Sequence, residues 1–346
     1  NTYSGTTAIN AGTLNINSAT AIGNGTFTIA GGVIDNTSAG ALTLTNNNTQ
    51  NWNGDFTFNG TRDLNLGTGA VTMNASRTVT VTAGNLTVGG AIAGVGFGLT
   101  KNGTGTLILS GANTYNGTTT INAGTITLGS ADRIADTSDL NVGASGTFNL
   151  ANNNETLGSL TGSGNITLGS GTLTTNSTSN TTFSGLISGT GGLTKAGNGT
   201  QTLSGNNTYN GTTTISAGTI EIGAAGRLGA GNYSGNISNS GVLVYSGTNN
   251  QTLGGIISGT GALTQNAAST LTLSGNNTYN GTTTISAGTI EIAAAGRLGA
   301  GNYTGNITNN GVLVYSGTNN QTLGGIISGT GALTQNAAST LTLSGN

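Results

Sequence analysis

Seven basic and nine acidic residues among 346, with 64 glycines and no proline, cysteine or histidine, set the outer limits of this chain. There is no thiol or imidazole for nucleophilic catalysis, no disulfide framework, and a net charge of −2 with the five Arg and two Lys scattered, which excludes a nucleic-acid partner. Collagen is excluded by the missing Gly-X-Y register, and disorder by the alternation of Leu, Ile and Val in a chain so poor in charge. In chain order, the first element begins in Asn1-Thr2-Tyr3-Ser4-Gly5-Thr6-Thr7-Ala8-Ile9, and the phrase Asn-Thr-Tyr-x-Gly-Thr-Thr-x-Ile returns at Asn113, Asn207 and Asn277. It marks repeat units 1–112, 113–206, 207–276 and 277–346. The last two differ at four positions: Gly223 against Ala293, Ser234 against Thr304, Ser238 against Thr308 and Ser240 against Asn310.

Those unit lengths are close to five, four, three and three multiples of about 23 residues, a period that marks a solenoid. Within the period the pattern alternates. Thr219-Ile220-Glu221-Ile222 and Thr270-Leu271-Thr272-Leu273 place apolar residues on one face and Thr or Glu on the other, as a strand buried on one side requires. Clusters such as Ser274-Gly275-Asn276-Asn277 interrupt the strands where the backbone turns. The predicted fold is all-β: one continuous right-handed parallel β-helix over 1–346, of about 15 coils with three short strands each. Tyr209 and Tyr279 then fall at equivalent positions three coils apart, too distant to stack on each other. Neither Asn1 nor Asn346 resembles a cap, so the chain is expected to be an excerpt of a longer one.

Gly98-Leu99-Thr100-Lys101-Asn102-Gly103-Thr104-Gly105-Thr106-Leu107-Ile108-Leu109-Ser110-Gly111, followed by Asn113-Thr114-Tyr115-Asn116-Gly117-Thr118-Thr119-Thr120-Ile121-Asn122-Ala123-Gly124-Thr125-Ile126, carries a resemblance. It closely resembles the passenger-associated transport repeat, also called the autotransporter-associated β-strand repeat, of very large bacterial surface proteins. The pattern recurs from Gly192 to Ile220 and more loosely from Gly261 to Ile290, while Asn1 to Leu14 carries its second half. The resemblance implies a rod-like exported passenger or stalk at the cell surface, with no catalytic residues to carry over. This sequence departs from the pattern where Lys101 and Lys195 become Gln265 and Gln335, and where Gly103 and Gly105 become Ala267 and Ser269. Gln201 replaces Leu107 at a position that alternation buries, so it must pair with a neighbouring buried amide or displace its strand.

Candidate chemistry is sparse. Asp132, Asp136 and Asp139 with Arg133 form the one acidic cluster, the place where a polysaccharide-active β-helix would carry its acids, yet the later units keep only Arg227 and Arg297 there. A solvated turn is the expected reading. A calcium site is not expected either, since the nonapeptide of calcium-binding β-rolls is missing. Asn-x-Thr triplets such as Asn116-Gly117-Thr118 follow from composition alone. Ice binding needs a long unbroken array of outward Thr, and here Thr pairs stand beside Asn, Glu and Gln. No cofactor is expected, and no enzyme activity.

The candidate contact residues are Val242, Leu243, Val244 and Tyr245, with their copies Val312, Leu313, Val314 and Tyr315, because this run is apolar at both parities. Either the valines or the Leu and Tyr must face outward. The expected cover is a loop of the same chain around Asn232-Tyr233 and Asn302-Tyr303, or a lateral stripe recurring every three coils through which chains associate. The expected function is therefore a non-enzymatic structural or adhesive stalk segment, extracellular at the bacterial surface. Its expected partners are further copies or other cell-surface proteins and glycans, and it meets a membrane only through an anchor outside this segment. The alternative is a segment of a self-assembling extracellular β-solenoid fibre.

Overall fold

The structure, a computed structural model, describes residues 1–345. It forms two compact units, Asn1–Gly171 and Thr172–Asn346. Each is a parallel β-solenoid, and together they make about 17 turns where about 15 were expected. The difference lies in coil length. Partner residues on successive coils are about 20 residues apart in many places, as for Thr7 and Phe27 or Leu193 and Thr213, and reach about 24 only where a corner is enlarged, as for Thr213 and Ile237.

In the first unit, Thr7–Ile9, Phe27–Ile29, Gln50–Trp52, Val71–Met73 and Ile92–Ala93 stack into one parallel sheet. Alternation sets which residues enter the core: Phe27, Ile29, Trp52, Val71 and Met73 are buried, while Thr28 and Thr72 face out. Ile9, Ile29, Trp52 and Met73 thus form one continuous file down the interior. The longest strands, Thr119–Leu128 and Leu140–Asn149, run through a corner and pair on both sides of it, with one register shift between Ile121 and Ala123.

In the second unit three long columns of strands surround the core, and Asn302–Tyr303, Gln321–Leu323 and Leu341–Leu343 form a further short sheet. The first holds Leu173–Thr175, Leu193–Lys195, Thr213–Ile215, Ile237–Asn239 and Ile257–Ser258. The second runs from Thr181–Phe183 and Thr200–Leu203 through Thr219–Ala224, Val242–Gly247, Ala262–Gln265 and Thr283–Ile285 to Ile307–Asn309 and Ile327–Ser328. The third holds Asn232–Tyr233, Gln251–Leu253, Thr270–Leu273, Thr289–Ala294, Val312–Gly317 and Ala332–Gln335. The copy of a strand therefore never returns to its own column. Thr213–Ile215 lies in the first and its copy Thr283–Ile285 in the second; Thr219–Ala224 lies in the second and its copy Thr289–Ala294 in the third. The 70-residue repeat is three coils and one strand, not three coils, and each copy is turned by one face.

The corners explain the recurring phrase. Asn207 is buried; its Oδ1 accepts the Ile187 N–H of the preceding coil at 3.0 Å, and its Nδ2 donates to Gly205 O at 3.0 Å and Arg227 O at 3.2 Å. One side chain thus joins three coils, and Asn113 and Asn277 repeat the bond to the coil before at 2.8 Å each. Tyr209 enters the core with its hydroxyl 2.8 Å from Thr213 Oγ1, which lies 2.7 Å from the Tyr233 hydroxyl; Tyr233 in turn donates to Gly211 O. The Tyr209 and Tyr233 rings meet edge to face at 5.5 Å, and Tyr279 and Tyr303 repeat the pairing at 5.4 Å. Every polar atom that Tyr and Thr bring inside is matched by another. At Gly218 φ is +65°, and a Cβ would lie 2.4 Å from Gly199 O, so the bend before Thr219 accepts only glycine; Gly12, Gly124 and Gly288 share that conformation.

Candidate functional site

Alternation decides the fate of the apolar run. Leu243 and Tyr245 point inward, each 2% exposed, and Leu313 and Tyr315 do the same at 1%. The Tyr245 hydroxyl is satisfied by donating to Asn249 O, and that of Tyr315 by Asn319 O. These four residues belong to the core and have no surface to offer. Val242, Val244, Val312 and Val314 are half-buried on the outside. The expected loop does not cover them, since Tyr233 is itself committed to the interior beside Thr213. Val244 instead sits in an outward file between Glu221 and Thr264, and Val314 between Glu291 and Thr334. The two valine pairs lie in different columns, so they do not form the straight stripe expected from a repeat of three whole coils.

Asp132, Asp136 and Asp139 are exposed on the turn before Leu140–Asn149, with Asp139 Oδ1 accepting the Ser159 hydroxyl at 2.6 Å. Among the described residues no three His, Cys, Asp or Glu side chains are grouped as a metal site would require. Arg133 turns away from the acids, with Nε on Ala131 O at 2.7 Å and Nη1 on Ser110 O at 3.2 Å.

Three buried polar residues matter more than that turn. Lys101 is fully buried, and its Nζ donates to Asn102 O at 2.9 Å, Gly103 O at 2.8 Å and Ala123 O at 3.2 Å. Burial lowers its pKa to about 8. Gln265 occupies the same corner in the later copy and reaches Ala267 O at 2.8 Å and Ser269 O at 2.7 Å, so what the corner needs is a long donor, charged or not. Gln201 is resolved in favour of pairing: its Oε1 accepts the Thr181 hydroxyl at 3.1 Å and its Nε2 donates to Thr202 O at 3.3 Å, inside a strand that keeps its register.

Glu155 escaped the sequence reading. Its carboxylate, 1% exposed, accepts the Arg133 N–H at 2.9 Å and the Ile134 N–H at 3.0 Å. Burial above all raises its pKa to about 7, against the lowering effect of those two N–H donors and with a further push from Asp132 and Asp136. The signal was present in the sequence. Glu155-Thr156-Leu157-Gly158 aligns with Gln251-Thr252-Leu253-Gly254 and Gln321-Thr322-Leu323-Gly324, which places an acid where the later copies keep an amide.

Comparison with known proteins agrees with the repeat geometry. The passenger-associated-transport-repeat family matches residues 1–16, 99–128, 193–222 and 263–292. The chain is 33% identical over 319 residues to the adhesin BmaC autotransporter of Brucella suis biovar 1 (strain 1330); the match covers 79% of this chain and 9% of that protein. The chain thus corresponds to a small part of the relative's length. No solved structure matches it. Repeats of this kind belong to exported passengers, which places the chain outside the cell at the bacterial surface. The chain thus carries segments of the passenger-associated transport repeat.

Proposed function

We propose that this chain is a non-enzymatic spacer within a surface passenger, which sets reach from the cell and carries adhesive contacts along its sides. One observation carries the reading. Residues 207–276 and 277–346 follow one another through the same parallel pairing that operates inside each of them, so length can be added without a new kind of junction. The relative is named an adhesin, and its role is extended here to this chain as part of the proposal. Partners would be further copies of the chain or molecules on a facing cell.

Removal of residues 207–276 tests the spacer role, because the phrase at Asn277 then takes the place of the one at Asn207. On a cell that displays the chain, the shortened form is expected to fold and to keep its binding specificity while the gap between adherent surfaces narrows. An unchanged gap, or a chain that no longer folds, sinks the spacer reading. Unchanged adhesion after deletion of the whole chain from its passenger sinks the adhesive one.

A further inference from the structure

We propose that Glu155 makes the corner between Arg133-Ile134 and Glu155–Leu157 an acid-tightened joint in the solenoid, closed while its carboxyl is protonated and loosened when it ionises. The chain supplies its own control. At the equivalent corner Gln251 accepts the Leu228 N–H on Oε1 at 2.9 Å and donates from Nε2 to Leu228 O at 3.0 Å and Thr252 O at 2.8 Å. Gln321 repeats all three bonds with Leu298 and Thr322 at 2.9, 3.0 and 2.8 Å. An amide therefore serves both an N–H and two carbonyls.

A carboxylate can serve only the N–H groups. Glu155 does so, turning both oxygens to Arg133 N and Ile134 N, and as an anion it has no donor for Ile134 O or Thr156 O, the carbonyls equivalent to those that the glutamines satisfy. As a carboxylic acid it regains one donor for these carbonyls and gives up one of its two N–H acceptors, which leaves it the one N–H that the glutamines also hold. The anion also lacks a counter-charge, since no Lys or Arg side chain among the described residues forms an ion pair with it.

The groups that face it from every side are few. Arg133 spends its guanidinium on Ala131 O and Ser110 O; Asp132 and Asp136 lie on the same turn and repel the anion; Asp139 is held by Ser159. From the preceding coil comes Tyr115, buried with its hydroxyl 2.9 Å from Thr119 Oγ1 and its pKa raised, by burial first and by Glu155 in smaller part. Between Glu155 and Lys195 the chain has no titratable side chain at all. Beyond the two N–H donors nothing nearby stabilises the charge.

The direction follows from the raised pKa. The folded corner holds its proton up to about pH 7, whereas the open chain releases it near the ordinary 4.5, so closure is fully favoured below 4.5 and loses ground as pH rises through 7. Hydrogen exchange of the whole chain, corrected for intrinsic rates between about pH 4 and 8, reads this at the Arg133 and Ile134 amides. Opening is expected to increase by up to roughly two orders of magnitude across that range. Glu155→Gln should abolish the increase and protect the corner at pH 8 as well as Leu228 is protected. Gln251→Glu should bring the same pH dependence to Leu228, whose N–H Gln251 holds. The proposal is overturned by a Glu155→Gln chain that keeps the native pH profile, by a native profile that is flat or opposite in sign, or by Gln251→Glu leaving its corner indifferent to pH.

Discussion

At the scale of single residues, most polar atoms in the interior meet a partner; Asn48 Oδ1, Ser246 Oγ, Gln265 Oε1, Arg297 Nε and Ser316 Oγ are the buried atoms among the described residues that do not. Leu273 is fully buried, with Leu253 and Ile292 beside it on the adjoining coils, so a charge placed there would lie among apolar side chains. Leu273→Asp is expected to cost at least about 3 kcal/mol and to open the local coils to protease, whereas Glu221→Gln, on the outer face, should change stability by less than about 0.5 kcal/mol. Thermal melting that ranked them the other way would show the strand facing shifted by one residue. Lys101 gives a finer case. Lys101→Gln should be nearly silent because Gln265 already fills that role, while Lys101→Ala strips three carbonyls of their donor and should cost roughly 2 kcal/mol or more by urea titration. Alternation made Leu273 and Glu221 legible in the sequence. The exchange of Lys101 for Gln265 showed that a cation is not required there, but not which carbonyls the side chain serves; alternation could not find Glu155, because a buried acid and a solvated one look alike until the coil that covers it is in place.

At the scale of strands and corners, period-two patterning was enough to predict parallel strands with one buried face, and the Asn-Thr-Tyr phrase was enough to mark the repeat. What it did not reveal was that the phrase is a clamp: Asn207 ties its own corner to the coils before and after, and Tyr209 shares Thr213 with Tyr233. Those partners lie about 20 residues away and emerge only from coil length. Coil length in turn was hidden, because corner size varies. The extended turn around Gly229–Gly231, with positive φ at Gly229, Ala230 and Gly231, lengthens its coil to about 24 residues, while plain corners need about 20. Seventy residues therefore looked like three coils of about 23 and are three coils and a strand. Asn277→Ala should weaken this arrangement locally: it orphans the Ile257 N–H and leaves Gly275 O short of a donor, for a loss of about 1 to 3 kcal/mol. Hydrogen exchange should quicken at Ile257 and leave Ile187, held by Asn207, as it was.

At the scale of the molecule, the rotation of each copy by one face changes how contacts along the solenoid add up. The second compact unit presents Val242 and Val244 on one column and Val312 and Val314 on the next, each set edged by the single Glu of its repeat, Glu221 or Glu291. A flat partner that touches one side meets one set. A bundle in which neighbours lie on several sides can use both, and repeated weak contacts then reinforce one another. Lys at the outward valines is the discriminating change, since Tyr245 and Tyr315 are core residues whose replacement would unfold the coil instead of probing its surface. With Val244→Lys or Val314→Lys alone, aggregation of cells that display the chain is expected to fall in part, and with both to fall further than either. Circular dichroism should be unchanged in all three, because the side chains already reach solvent. If one substitution does everything and the other nothing, contact is one-sided; if the doubly substituted chain aggregates like the native one, these valines are not where copies of the chain meet.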